Sequence, residues 1–275
     1  MKRSSIILTL AAILLSGSAV LANEPGSGAL KPVSITDFVS ASGSDHTSIE
    51  AFDHLIQRLE KKNTSSERDF VRFIFAKTHS QILKHYRNEA EFHELFKNGA
   101  YNCLTGTILY SLIFNHFGIR HQVIETNYHI FMIVNTVQGD VLLEATDPIK
   151  GFVYDQKEIE DRIQLYKEDG YAFQRDGKAA YQFKFNLYNT VSQPELLGLL
   201  YFNLSVASYN KQNLHTAIDY LAKSSAFYNS IRIDEFSAIL LHAVSQSNLD
   251  EQAKLQQVTQ LRSIRNKLQQ TVAGM

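Results

Sequence analysis

The stretch GAYNCLTGTILYSLIFNHFG, residues 99–118, holds the only cysteine of the chain. Asn102 is a good helix N-cap and Gly118 a good stop, so the spacing predicts a helix of about four turns opening at Cys103. Leu104, Ile108, Leu112 and Phe117 would hold it in a core. A thiol in the first turn faces unpaired amides and partial positive charge, which favour the thiolate and predict a depressed pKa. Gly106 follows at i+3, nearly on the same face, and leaves room for a neighbouring strand or a substrate to approach the sulfur.

Toward the N-terminus, residues 1–22 carry Lys2 and Arg3, a short apolar run and Val20-x-Ala22. This is the three-part pattern of a cleaved secretory signal, which predicts an exported protein, periplasmic or secreted. Residues 23–45, rich in Gly, Ser and Pro, read as a linker. Ile49, Phe52, Leu55, Ile56 and Leu59 then recur at helical spacing. A second helix is expected over about 66–86 with Phe70, Phe73, Ile74 and Ile82 inward, and a short third one over about 89–97.

Toward the C-terminus the period changes. HQVIET (121–126), HIFMIVNTV (129–137) and DVLLEAT (140–146) read as short strands. A two-residue turn at Gln138-Gly139 would pair Val137 with Asp140 and turn Glu144 to the same face as His129, with Asp147 on the other; a bulge would reverse the two. A further strand is expected around Tyr181–Leu187. From Pro194 the pattern is helical. ASYNKQNLHTAIDYL (from Ala207) and LHAVSQSNLDEQAKL (from Leu241) resemble each other at a spacing near the roughly 34-residue period of tetratricopeptide-type repeats. The domain reading is therefore a signal at 1–22, a linker at 23–45, a domain of mixed helices and strands at 46–190 and a helical hairpin domain at 191–275.

Composition narrows the function. Lys and Arg number 27 against 28 Asp and Glu, without a basic stripe, so a nucleic-acid partner is not expected. No stretch after residue 22 is long and apolar enough to predict a stable membrane span. One cysteine forms no disulfide within the chain, and an exported protein that keeps a lone thiol invites a chemical reason for it. No paired-cysteine or His-Glu-x-x-His spacing suggests a metal, and no glycine loop suggests a phosphate-bearing cofactor, so neither is expected.

A thiol nucleophile needs a base, and the base needs an orienting acceptor. His129 opens the apolar run HIFMIV, Glu144 interrupts VLLEAT, and Asp147 follows just beyond. Cys at a helix start, His at a strand start and an acid on the next antiparallel strand resemble the transglutaminase-like branch of the papain-type thiol enzymes. YNCLTGTILYSLIFNHFGI and HIFMIVNTVQGDVLLEATDP carry the resemblance, over roughly residues 70–150.

That resemblance implies an α+β fold: a papain/transglutaminase-like core of helices and a small antiparallel sheet, followed by the C-terminal helical hairpins. It matches Cys103 to the nucleophile, His129 to the general base, and Glu144 or Asp147 to the third member, Glu144 being favoured. It implies acyl transfer on amide bonds, with a peptide or protein as substrate. The chain holds no tryptophan to bind the oxyanion, which leaves the Cys103 amide together with Asn98, Asn102 or Gln122. The alternative is a non-catalytic module that binds a protein partner through its C-terminal helices and keeps the Cys-His core as scaffold.

Overall fold

The computed structural model describes residues 33–43, 47–168 and 187–273. The signal segment at 1–22 and most of the linker at 23–45 lie outside the described residues. The part of that linker inside them is a helix, α1 (Ile35–Ser40), closed by a capping box between Ser34 and Asp37. Phe38 and Val39 of this turn are buried in the main core, so the arm ends in an ordered anchor.

Two helices follow, α2 (Glu50–Glu60) and α3 (Glu67–Gln81). Leu55, Ile56 and Leu59 face inward from α2. Val71, Ile74, Phe75 and Thr78 do so from α3, while Phe70 and Phe73 sit at the margin. The helix expected to reach residue 86 stops at Gln81. The chain leaves it because Lys84 and His85 donate their amides to the Gly99 carbonyl, at 2.9 and 3.2 Å. This sets β1 (His85–Tyr86) parallel to β2 (Ala100–Tyr101). Tertiary pairing overrides local helical spacing here. Of the short helix expected at 89–97, only α4 (Glu94–Lys97) forms.

The central helix, α5 (Cys103–His116), is buried without a break from Leu104 to Phe114. A helix apolar all round belongs in the middle of a fold. Four strands come next: β3 (His121–Thr126), β4 (Ile130–Thr136), β5 (Gly139–Leu143) and β6 (Phe152–Val153). Helix α6 (Gln156–Glu168) and strand β7 (Tyr188–Val191) complete this half. The strand expected around 181–187 falls almost wholly outside the described residues. The sheet order is β6-β5-β4-β3-β7, every neighbour antiparallel.

Two layers cover this sheet. Ile130, Met132 and Val134 point to the α5 side and join the main core. Phe131, Ile133 and Leu142 point the other way, where Ile159, Ile163 and Tyr166 of α6 close over them.

The β4–β5 register differs from the expected one. Thr136 pairs with Gly139, so the turn residues are Val137 and Gln138. Gly139, the first residue after the turn, has φ of 105°, a positive value that glycine adopts without strain. The partner of each β4 residue moves by two positions, an even step that leaves every face unchanged.

Four helices end the chain: α7 (Gln193–Asn210), α8 (Leu214–Phe227), α9 (Ile231–Gln246) and α10 (Glu251–Ala273). They form two consecutive hairpins. Gly198 lets the open end of the first one close, since a Cβ there would collide with the Cβ of Tyr228. Leu196, Leu197 and Leu200 of α7 share the main core with Leu109 and Ile113 of α5. The fold is thus mixed α+β, with a small antiparallel sheet and C-terminal helices. No helix among the described residues is long and apolar enough to cross a membrane.

Candidate active site

The β1–β2 pair delivers the chain to Asn102, which caps α5. Its side-chain oxygen accepts from the Thr105 amide at 2.9 Å, and the Thr105 hydroxyl accepts from the Asn102 amide at 2.9 Å. Both hydrogens of the Asn102 amide are also used, toward the carbonyls of Asn88 and Ala90 at 3.0 Å. Cys103 is therefore held rigidly as the first helical residue, half-buried, with a free thiol. Beside Asn102 a groove of about 240 Å³ opens between residues 88–91 and α7.

The thiol is not the activated thiolate that a helix start predicts. Burial pushes its pKa up to about 11, with the Glu144 charge adding to the rise. The amides of Leu104 and Cys103 and the Arg232 guanidinium pull the other way and are outweighed. The resting sulfur is protonated at neutral pH because desolvation in this core exceeds the help of one helix terminus.

Gly106, one turn on, lies against the end of β5. A Cβ there would stand 2.8 Å from the Cβ of Ala145, so only glycine allows this approach. Ala145 is gripped a second time. His79 of α3 donates from Nε2 to its carbonyl at 3.0 Å, and Nδ1 faces the Tyr110 hydroxyl at 2.8 Å. Burial depresses the His79 pKa and keeps the ring neutral.

His129 stands in the turn before β4. Thr126 ties this turn, donating its amide to the His129 carbonyl at 2.8 Å and accepting the His129 amide on its hydroxyl at 3.1 Å. From α9, buried Arg232 donates to the carbonyls of Thr126 and Asn127. Its guanidinium lies 3.9 Å from Glu125, a carboxyl that is 1% exposed and also accepts from Tyr228.

The His129 ring meets Glu144. Nε2 is buried without a hydrogen-bond partner and stands 3.5 Å from Oε1 of the carboxylate, within ion-pair distance. Glu144 is fixed by two hydroxyls: Thr146 donates to Oε1 at 2.6 Å and Tyr166 to Oε2 at 2.7 Å. Burial alone would raise the pKa of this acid. The His129 ring and the two hydroxyls outweigh it and hold the carboxyl down at about 2. A carboxylate only accepts, so this neighbour favours the tautomer with the imidazole proton on Nε2.

Asp147 goes elsewhere. Its carboxylate accepts from the amides of Ile149 and Lys150, at 3.0 and 2.8 Å, and closes its own turn. Among the described residues no hydrogen bond joins Cys103 to His129. The His129–Glu144 pair lies on the α6 face of the sheet, whereas Cys103 rises from the helix on the opposite face. The two share the end of the sheet where β4 begins and β5 ends, close enough for the Glu144 charge to act on the thiol.

A second imidazole–hydroxyl pair sits at the far end of α5. His121 donates from Nδ1 to the Ile119 carbonyl at 2.9 Å, and its Nε2 faces the Ser111 hydroxyl at 2.9 Å.

Comparison with protein-family models, curated proteins and solved structures finds no match to this chain. The chemistry must be argued from the side chains themselves. Among the described residues no group of His, Cys, Asp and Glu could hold a metal ion.

Of the oxyanion donors expected, Asn102 has both amide hydrogens engaged. Asn98 turns its oxygen to the Ala100 amide at 2.9 Å. Gln122 lines a groove at the far end of α5, with Ser111 and Asn115. The Cys103 amide is the donor that remains at the thiol.

Three contacting residues escaped the sequence reading. Thr146 lies in the quoted strand and could have been seen as a hydroxyl two places from the acid. Tyr166 completes the spacing Ile159, Ile163, Tyr166, an apolar helix face between the strands expected at 140–146 and 181–187. Arg232 gives no local signal, since its partners are about a hundred residues away in the chain.

Proposed function

We propose that the protein is an exported thiol acyl-transfer enzyme acting on amide bonds, of the transglutaminase-like kind. Cys103 is the nucleophile, His129 the general base and Glu144 the acid that orients it. The observation that carries this reading is the approach of His129 Nε2 to within 3.5 Å of a Glu144 that is ionised at neutral pH, with Nδ1 free to serve as the base at the sheet end nearest the Cys103 helix start.

The protonated thiol sets the order of events. As the sulfur attacks the amide carbonyl, Nδ1 takes the thiol proton, so deprotonation and attack run together and no standing thiolate is needed. The Cys103 amide donates to the carbonyl oxygen as it gains charge. The imidazolium returns its proton to the departing amine and a thioester remains on Cys103. Water, deprotonated by the same nitrogen, releases the acid and restores the thiol. An amine in place of water would give transfer. The groove beside Asn102, walled by Asn203 and Asn210 on α7, suits an extended peptide whose backbone amides need partners.

The protonated thiol and the lack of a Cys103–His129 hydrogen bond favour a second reading, a non-catalytic module that binds a partner through the helices of residues 191–273. A p-nitrophenyl ester separates the two. The enzyme reading expects a burst of nitrophenol equal to the protein concentration and an acyl group on Cys103 by mass spectrometry. Absence of both in the purified chain supports the binding module and rejects the enzyme.

A further inference from the structure

The acid of the site is held by a residue from outside the strands that carry it. Tyr166 lies on α6, anchored to the sheet by Ile159 and Ile163. Its hydroxyl donates to Oε2 of Glu144 at 2.7 Å. Its ring stands 4.7 Å from the His129 ring at 50° and 4.9 Å from Phe131 at 45°. Phe131 stacks on His129 from below, at 6.2 Å and 19°. One side chain thus touches both members of the pair, the acid with its hydroxyl and the base with its face.

A free carboxylate rotates about its last bond and presents either oxygen, or neither, to a neighbour. Here the hydroxyls of Thr146 and Tyr166 take one oxygen each, and together they define the plane of the group. Thr146 is two residues from Glu144 and moves with it. Tyr166 belongs to another element and supplies the external reference. The tyrosine ring also packs against the imidazole, and a contact to a carboxylate partly shielded from water is less screened than an exposed one.

We propose that Tyr166 is the positioning residue of this site: it fixes the Glu144 carboxylate against His129 Nε2 and so selects the tautomer in which Nδ1 is basic. The proposal rests on His129 acting as base for Cys103, yet its first consequence is readable without any turnover.

The test uses the full chain with Tyr166→Phe, which keeps the ring and its packing and removes only the hydroxyl. Tyr154→Phe, at an exposed tyrosine away from the site, is the control. Thermal unfolding confirms that each variant folds. Nitrogen-15 NMR of the imidazoles reads the tautomer of His129. The wild type and Tyr154→Phe should show a single Nε2–H form, and Tyr166→Phe a mixture of both. With the p-nitrophenyl ester, Tyr166→Phe should lower the acylation rate about tenfold at unchanged saturation, a change near 1.4 kcal/mol in the barrier. If Tyr166→Phe keeps the wild-type tautomer, the positioning role is overturned, whatever the ester does. If the tautomer changes while the wild type shows no burst, the positioning role stands and the acyl-transfer reading falls.

Discussion

Each end of α5 holds a nucleophile-type side chain and an imidazole, and the two ends are built differently. At the far end, His121 is saturated. A carbonyl takes its Nδ1 proton, a buried serine occupies Nε2, and Ser111 is 3% exposed in mid-helix, where every amide is already bonded. At the near end, His129 faces a charged carboxylate with one nitrogen, and neither ring nitrogen makes a hydrogen bond among the described residues. Cys103 lies in the first turn, where helix amides are free. A histidine beside a hydroxyl is common core architecture. A histidine with an ionised acid on one nitrogen and nothing on the other is arranged for proton transfer.

The largest expected contrast lies in the nucleophiles. Cys103→Ala should abolish the ester burst, and Ser111→Ala should leave it within about twofold, since a loss of 1.4 kcal/mol in the barrier would already be tenfold. A burst that survives Cys103→Ala and vanishes with Ser111→Ala would move the active site to the other end of the helix.

The imidazoles should separate next. His129→Ala should slow acylation by roughly 10²–10⁴, the usual contribution of a general base, and should also lower urea stability at neutral pH, because the ring is a main support of the ionised Glu144. His121→Ala should cost stability alone. It strands the buried Ser111 hydroxyl, which costs about 1–3 kcal/mol, and touches the rate little. Equal rate losses in both variants would mean that the two ends are not functionally distinct.

Legibility of these ends in the sequence was uneven. The bounds of α5 were readable because Asn102 and Gly118 act within their own turns. Strands β3, β4 and β5 were readable because alternation is local. The hairpin register was not, because Gly139 follows the turn as the partner of Thr136 instead of forming the turn. The escape of residues 82–86 from α3 was hidden, as it depends on a Gly99 carbonyl supplied by a later segment. His121 and His129 look alike in sequence, each at the mouth of an apolar strand. Only the partners of their nitrogens, one a local carbonyl and one an acid across the hairpin, tell them apart. The charge state of Cys103 was misjudged for the same reason: the helix terminus is visible in sequence, the burial that overrides it is not.

Acid titration should sharpen the comparison through linkage. The Glu144 pKa, about 2 when folded, lies below the roughly 4.3 of an unfolded glutamate. Its contribution is complete above about pH 5 and is lost as pH falls toward 2, up to about 3 kcal/mol. His121 is depressed by burial, so the unfolded ring takes up its proton first, and stability at that end is lost as pH falls below about 6.5. His79 shares the second window, so His121→Asn isolates the far end. Urea midpoints between pH 7 and 3 should show Glu144→Gln flattening only the lower part of the curve and His121→Asn only the upper part. Flattening of the same range by both would deny the separate environments of the two ends.

The smallest effect expected concerns the glycines that flank the comparison. Gly118 sits at φ 65° with nothing within 4 Å of a built Cβ. Gly118→Ala therefore meets no neighbour and only forces a left-handed backbone, at about 1–2 kcal/mol. Its cost should appear wholly in stability. Gly106 is helical, so alanine there gains about 1 kcal/mol of helix propensity. The new methyl meets Ala145 at 2.8 Å, and Ala145 has no flexible side chain to withdraw. The backbone of residues 144–146 must yield, against about 1–3 kcal/mol of overpacking. Gain and loss nearly cancel, so Gly106→Ala should change the urea midpoint little. The displaced segment carries Glu144, however, and a carboxylate already 3.5 Å from Nε2 has no slack to lose. Acylation should fall by about tenfold, or 1.4 kcal/mol, in a variant about as stable as the parent. An unchanged rate in Gly106→Ala would show that the approach of α5 to the end of β5 serves packing alone.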